Sequence, residues 1–222
     1  MEFRERVARV GLSGVLVALA ACGGGPKASG ERASGAPASA ATTETAPGLE
    51  SAGRVRARAT IAGPPGSSIK GEVTFVELAE NFPVPGVKVD ATISGPSGEL
   101  APGNHGLHIH ENAKGGCVPP FTAAGGHFDP GPVGNADPDV NHPYHMGDIP
   151  NLVVDRLGVG AMDATTSRIT LSPGPLSIFD GNGSVVIVHQ NPDSGVPGPV
   201  KSGVSGGPRI ACGVIELVEK SR

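Results

Sequence analysis

Val55-Arg56-Ala57-Arg58-Ala59-Thr60-Ile61 alternates apolar and polar side chains. A strand with one face in a core and the other in water reads this way, because successive side chains point to opposite faces. Further apolar stretches follow at 69–78, 87–93, 106–110, 152–154, 158–164, 168–171, 184–189 and 209–217, with Gly, Pro, Asn and Asp clustered between them. Asp180-Gly181-Asn182-Gly183 is a strong turn signal between two apolar runs, since Gly and Asn accept the left-handed backbone a tight turn needs. Of 222 residues, 35 are Gly and 22 are Pro. Long helices are disfavoured at that level, at about 1 kcal/mol per interior Gly and 3 per interior Pro. The chain has no Trp, one Tyr and six Phe, so its core must come from Val, Ile, Leu and Ala. Short strands at this spacing predict an all-β antiparallel sandwich or barrel. Two stretches, 111–151 and 190–208, carry no strand signal, and loops that long in a compact domain are usually functional.

Upstream, residues 23–53 are Gly, Ala, Ser, Pro, Thr and Glu with almost no large apolar side chain. Such a segment cannot bury enough surface to offset its ordering entropy, so it reads as a flexible tether. Before it, an apolar run over 10–21 follows Arg4, Arg6 and Arg9. It is too short to span a bilayer core of about 30 Å and suits a signal peptide. The run ends Leu19-Ala20-Ala21-Cys22, which resembles the lipobox of bacterial lipoproteins and implies lipidation at Cys22. Two or more acyl chains there would anchor the protein stably. Gly23 stands where an Asp would argue for inner-membrane retention. The expectation is an exported lipoprotein of the cell envelope, at the outer membrane on its periplasmic side or surface. The chain then divides into a signal peptide (1–21), a lipidated Cys22 with its tether (22–53) and a β domain (54–222). A net charge of −4 argues against a general nucleic-acid binder.

All seven histidines fall between His105 and His189. His108 and His110 stand two apart in a strand-like stretch, so both project from one face. Neutral imidazole is the commonest metal ligand, and four imidazoles in a near-planar array favour Cu(II). His142, His145 and Asp148 follow at intervals of three with an oxygen donor last. With one more histidine they would make a tetrahedral zinc site.

The blocks Gly103-Asn104-His105-Gly106-Leu107-His108-Ile109-His110-Glu111, Gly126-His127-Phe128-Asp129-Pro130, His145-Met146-Gly147-Asp148, Val186-Ile187-Val188-His189 and Gly207-Pro208-Arg209-Ile210-Ala211-Cys212-Gly213-Val214-Ile215 occur in that order. In order and spacing the chain resembles a copper/zinc superoxide dismutase of the bacterial exported kind, over roughly 54–222 and most densely over 103–217. The resemblance implies an eight-stranded antiparallel Greek-key barrel with two long functional loops. It implies copper on His108, His110, His127 and His189, and zinc on His127, His145, Asp148 and one further histidine, with His127 bridging the metals. It also implies that Asp193 accepts N–H bonds from a copper histidine and a zinc histidine, that His105 is structural, and that Cys117 and Cys212 form a disulfide. Export to an oxidising compartment permits such a bond.

One departure stands out. The family usually places a second zinc histidine midway between the bridging one and the last. Here the middle reads Gly134-Asn135-Ala136-Asp137. The candidate is His142, three residues before His145, which requires a different loop path.

The implied activity converts two superoxide anions and two protons to oxygen and hydrogen peroxide by cycling Cu(II) and Cu(I), in defence against extracytoplasmic oxidants. His127 and Arg209 are the implied catalytic residues, His127 as proton carrier and Arg209 as the cation that binds and orients the anion. Lys201, in a loop without acidic residues, is either a steering charge or an ordinary solvated lysine. A non-catalytic copper-buffering member of the same fold is the alternative; such proteins often lose a ligand or the arginine, and this chain keeps both. Monomer and homodimer both stay open, and the only membrane contact expected is the lipid anchor.

Overall fold

A computed structural model describes residues 56–78, 86–131 and 136–218. The expected signal peptide, Cys22 and the tether lie outside the described residues. The strands are β1 (Arg56–Ala62), β2 (Lys70–Glu77), β3 (Val87–Ser94), β4 (Gly103–His105), β5 (Leu107–His110), β6 (Leu152–Val154), β7 (Val159–Thr166), β8 (Val185–His189) and β9 (Arg209–Val218). Among the described residues the helical content is one 3-10 turn, Thr122–Ala124. All strand pairings are antiparallel, in the order β4-β6-β7-β3-β2-β1-β9-β8-β5.

The two ends of that order explain the shape. β4 sits on one edge and β5 on the other, yet only Gly106 separates them in the chain. The sheet therefore rolls up until its edges meet, giving a nearly closed barrel. Taken as one strand broken at Gly106, β4 and β5 reduce the count to the expected eight. The crossing is tight: Gly106 donates to the Asn191 carbonyl at 2.9 Å and accepts from the His189 amide at 2.8 Å. A Cβ on Gly106 would meet the Ser205 carbonyl at 3.0 Å and the His108 ring at 3.1 Å, so the seam needs glycine. The path from β3 to the seam, across to β6 and β7, and back through β8 and β9 to β1 is the Greek-key connection.

The alternation in β1 puts Ala57, Ala59 and Ile61 into the core beside Val73, Phe75, Val89 and Ile93. Burying each large side chain is worth about 1.5–3 kcal/mol. β8 is buried on both faces, which is why it reads as a continuous apolar run. Val186 and Val188 face the barrel interior, whereas Val185 and Ile187 pack outside against Phe121, Ala124 and Cys212. The disulfide between Cys117 and Cys212 joins that outer cluster to β9.

One expected strand is corrected. Residues 168–171 form no ladder; a single bridge links Thr170 to Ser177. The Leu171 and Ser172 amides instead donate to the Glu77 carboxylate at 3.2 and 2.9 Å, so a side chain takes the place of a neighbouring strand.

Candidate metal centre

Three histidines reach the centre from the barrel seam. β5 delivers His108 and His110, both fully buried. β8 delivers His189 at its end, where the register with β9 shifts between Val188 and His189. Such an irregularity re-aims the side chain that follows it. The fourth ring, His127, comes from the long loop and is paired to His110 through an isolated bridge.

These four rings form a quadrilateral. Neighbouring centroids lie 4.2 Å (His108–His127), 4.8 Å (His127–His110), 5.6 Å (His110–His189) and 5.0 Å (His189–His108) apart. The diagonals are 6.4 Å (His108–His110) and 6.3 Å (His127–His189). Each ring has one nitrogen engaged by the protein. His108 Nε2 donates to Asp193 Oδ2 at 3.0 Å, and His110 Nδ1 to the Gly125 carbonyl at 3.2 Å. His127 Nδ1 lies 2.6 Å from Asp148 Oδ1, and His189 Nδ1 donates to the Gly207 carbonyl at 2.9 Å. The other nitrogens, His108 Nδ1 and Nε2 of His110, His127 and His189, are buried with no hydrogen-bond partner. One ligand atom from each of the four residues lies within 4.8 Å of the rest. Buried nitrogens without partners are costly unless something binds them. A near-planar set of four is what Cu(II) takes, so the residues fit copper. Burial also keeps the rings neutral, which is the ligating form. It lowers the pKa of His108 and His127 to about 4 and that of His189 to about 3, and holds His110 well below its ordinary value, with neighbouring rings adding to the effect.

The second group shares His127. The rings of His127, His142 and His145 form a triangle with sides of 5.9, 5.0 and 6.1 Å. Asp148 caps it: its Oδ1 lies 2.6 Å from His127 Nδ1, and its Oδ2 2.9 Å from His145 Nδ1 and 3.4 Å from His142 Nδ1. Three Nδ1 atoms and one carboxylate give the tetrahedral donor set zinc prefers. His108 also borders this group, but its Nδ1 belongs with the four-ring set. Burial opposes the charge on Asp148, yet the three imidazoles hold its carboxyl far below the usual carboxylate range. Burial likewise works against a charged His142, and Asp148 and Asp193 outweigh it, raising that ring to about 9.

Asp193 ties the groups together. Its Oδ2 accepts from His108 Nε2 at 3.0 Å and its Oδ1 from His142 Nε2 at 2.6 Å. A carboxylate behind a metal histidine fixes ring orientation and tautomer. Asn151 brackets Asp193, accepting from its amide at 2.9 Å and donating to its carbonyl at 3.0 Å. The structure thus brings His142 to the place the spacing left in question. His105 lies at the seam, its Nδ1 2.9 Å from the His189 carbonyl and its Nε2 2.8 Å from the Ala101 carbonyl.

Arg209 lines a cavity of about 250 Å³ with His189, Lys201, Asp137 and Asp139. Its Nη1 donates to the Phe121 carbonyl at 2.7 Å and its Nη2 to the Gly125 carbonyl at 2.6 Å. Gly125 therefore serves both Arg209 and His110. A larger cavity of about 560 Å³ opens behind Asp148 and Asp193 and has no histidine in its wall. Sequence reasoning missed three features here. The carbonyls that aim Arg209 belong to backbone and carry no residue-type signal. Arg168, on the stretch misread as a strand, donates to the Pro143 and His145 carbonyls at 2.8 and 3.2 Å and braces the zinc loop. The third is Asp139, buried between two loops.

A family model described as copper/zinc superoxide dismutase (SODC) matches residues 69–215. The Cu-Zn superoxide dismutase of Deinococcus radiodurans is 37% identical over 158 residues, which is 67% of this chain and 80% of that protein. Superoxide dismutase (Cu-Zn) 1 of Salmonella typhimurium is 37% identical over 125 residues, 53% of this chain and 66% of that protein. The Cu-Zn superoxide dismutase of Brucella abortus is 34% identical over 169 residues, 65% of this chain and 89% of that protein.

Proposed function

The chain belongs to the copper/zinc superoxide dismutase family, and from that premise we propose how its own residues carry the reaction. The enzyme is a superoxide dismutase: two superoxide anions and two protons give dioxygen and hydrogen peroxide. Bound copper supplies a one-electron couple between Cu(II) and Cu(I), and bound zinc holds and polarises the shared imidazole. His108, His110, His127 and His189 would hold copper through the four partnerless nitrogens. His127, His142, His145 and Asp148 would hold zinc.

Arg209 binds the anion. Its guanidinium is aimed by the Phe121 and Gly125 carbonyls and presents a fixed charge to the cavity. His127 Nε2, when it does not serve copper, would hold one of the two protons consumed and give it to the reduced anion, and solvent would supply the other. Nδ1, on the zinc side with Asp148, would keep the ring in place meanwhile. Asp193 holds His108 and His142 in register, so the two metal groups keep one geometry through the cycle.

The observation that carries this reading is the set of buried imidazole nitrogens left bare while their ring partners are all engaged. The test is the purified chain reconstituted with copper and zinc, assayed for metal stoichiometry and for superoxide consumption by pulse radiolysis. One copper and one zinc per chain with rapid consumption is expected. Full metal with no consumption would instead favour the copper-buffering alternative.

We further propose that the enzyme works outside the cytoplasm, tethered through lipidated Cys22, against superoxide met in the cell envelope. The support is the lipobox-like Leu19-Ala20-Ala21-Cys22 and the polar tether after it. Labelling with a fatty-acid analogue checks this: Cys22→Ala should abolish both label and membrane association.

A further inference from the structure

We propose that Asp139 is a positioning residue for superoxide capture: its buried carboxylate latches the loop over 195–207 onto the loop carrying His142 and His145, fixing the cavity wall that bears Lys201 and faces Arg209. The inference rests on the dismutase reading above.

Asp139 is 4% exposed. Its Oδ2 accepts from the Gly203 amide at 2.9 Å, and its Oδ1 from the Ser205 amide at 3.2 Å and the Ser205 hydroxyl at 2.8 Å. Its carbonyl accepts from the Gly198 amide at 2.8 Å. One residue of the zinc loop thus holds the other loop at both ends of the turn that carries Lys201. Burial works against the charge on Asp139, and the donors from Gly203 and Ser205 more than offset it. This latch is separate from Asp193, whose carboxylate joins the His108 and His142 rings and caps the Gly195 amide.

Within itself the held loop makes only short-range turns and one cross-link, Ser202 to Pro199, Gly206 to Gly203 and Ser194 to Val204. It forms no strand apart from a single bridge between Asp193 and Ser205. Gly195, Lys201, Gly203, Gly206 and Gly207 all have positive φ, from 61° to 107°. Glycine at such positions leaves many other conformations open to the free chain. Lys201, at φ 61°, has a side chain that makes this backbone costly, and such residues persist where their surroundings over-determine them. Asp139 supplies that constraint two residues away, at Gly203. The end of the loop matters to the metal set as well, because the Gly207 carbonyl receives the His189 Nδ1 proton.

Charge and position make opposite predictions. Asp139 lines the same cavity as Lys201 and Arg209, so its negative charge opposes the approach of an anion. If charge alone mattered, removing it would raise kcat/KM. If the latch matters, removing it lowers kcat/KM, because a loosened loop no longer holds Lys201 at the mouth.

The test uses Asp139→Asn in the full chain loaded with copper and zinc. The amide keeps the shape and can accept from Ser205, but it turns an N–H toward the Gly203 amide. At equal metal content, kcat/KM should fall by about three- to tenfold at low salt, a partial loss below the full range of about 10–10³-fold for steering, and its salt dependence should flatten. Amide exchange at Gly203 and Ser205 should quicken by about tenfold or more. In a Lys201→Ala background the same change should cost less than about twofold, as coupled residues are not additive. Ser205→Ala, which removes one donor, should move each readout the same way by less, and it serves where Asp139→Asn does not fold. Unchanged or raised kcat/KM overturns the proposal. So do unchanged exchange, a full independent loss in the Lys201→Ala background, or a loss that only tracks missing copper. An inactive wild type with protected Gly203 and Ser205 amides would fault the dismutase reading and leave the latch standing.

Discussion

Breaking the Cys117–Cys212 bond should weaken the fold and the anion site together. The bridged residues are 95 apart in sequence. Chain entropy for a loop of that size gives about 4.7 kcal/mol at 25 °C as an upper figure, and native disulfides in secreted domains are worth about 2–5 kcal/mol. A domain of this size loses roughly 2–4 °C in Tm per kcal/mol, so the melting temperature should drop by roughly 4–20 °C. The perturbation is Cys117→Ala with Cys212→Ala, since alanine avoids placing a new hydroxyl in the apolar cluster of Phe121, Ala124, Val185 and Ile187. Calorimetry should use metal-free protein, because bound metal stabilises the folded state by mass action and would mask the change.

The second effect follows from the chain path. Phe121, four residues after Cys117, supplies the carbonyl that receives Arg209 Nη1, and its own φ is 64°. Loosening this segment lets Arg209 drift from the cavity. Displacement of order 1 Å at a reacting centre can cost up to 10²-fold, so kcat/KM with both metals restored should fall by about tenfold. A Tm within about 3 °C of wild type would refute the stabilisation. An unchanged kcat/KM at full metal content would refute the link to Arg209.

Arg209→Glu should lower kcat/KM by about 10²–10³-fold with copper retained, because a carboxylate would face the Phe121 and Gly125 carbonyls acceptor against acceptor; pulse radiolysis with copper analysis checks this. His142→Ala should reduce zinc below one per chain and weaken copper binding by about 10–100-fold, since Asp193 loses one of its two ring donors; full zinc content would remove His142 from the ligand set. The metal-free protein should lose stability on acidification. His108 and His127 titrate at about 4 and His189 at about 3 when folded, against about 6.5 unfolded. The unfolded chain therefore binds more protons below about pH 6.5, and stability falls from there toward pH 4. His142, raised to about 9, acts in the opposite sense, its contribution fading as pH rises from about 6.5 through 9. Urea midpoints at pH 7 and pH 5 check the sign: a midpoint that holds or rises at pH 5 would contradict it.

How much was legible in the sequence depended on whether a residue's task is local. Alternation placed β1, which buries one face along its length, and apolar stretches between turn residues placed β2, β3, β7 and β9. β8 was visible as an apolar run, but nothing in it told that one face packs on the core and the other on Phe121. β4 was missed because Gly103-Asn104-His105 offers no apolar residue, whereas the equally short β6 is Leu152-Val153-Val154. The 168–171 stretch misled because its apolar residues, Ile169 and Leu171, are buried core without a strand partner. Histidine spacing and family order pointed to His108, His110, His127 and His189, which the structure brings together. His142 was legible only by elimination, since what places it is the Asp193 carboxylate 51 residues downstream. Asp139 was unreadable for a similar reason: its partners lie beyond residue 197, in a loop whose composition advertises only flexibility.

Metal binding and strand pairing are linked in this architecture. β5 and β8 are hydrogen-bonded neighbours, with Leu107 opposite Val188 and His108 opposite Ile187. His108 and His110 come from one strand and His189 from the other, and His105 of β4 meets the His189 carbonyl across the gap between the sheet's edges. A metal held by all three strand histidines would tie β5 to β8. Because those nitrogens converge only when the two strands are paired, the free energy of binding adds to that of folding. The zinc group lacks such a strand frame. His142, His145 and Asp148 all belong to a loop, held by Arg168 beneath, by Asp193 from the neighbouring loop, and by the loop's own Asp139, which reaches across to that neighbour. The strand-built set is thus stiff through the sheet and the loop-built set through side chains. Single substitutions that spare the barrel should therefore reach the zinc group first and disturb copper through His127.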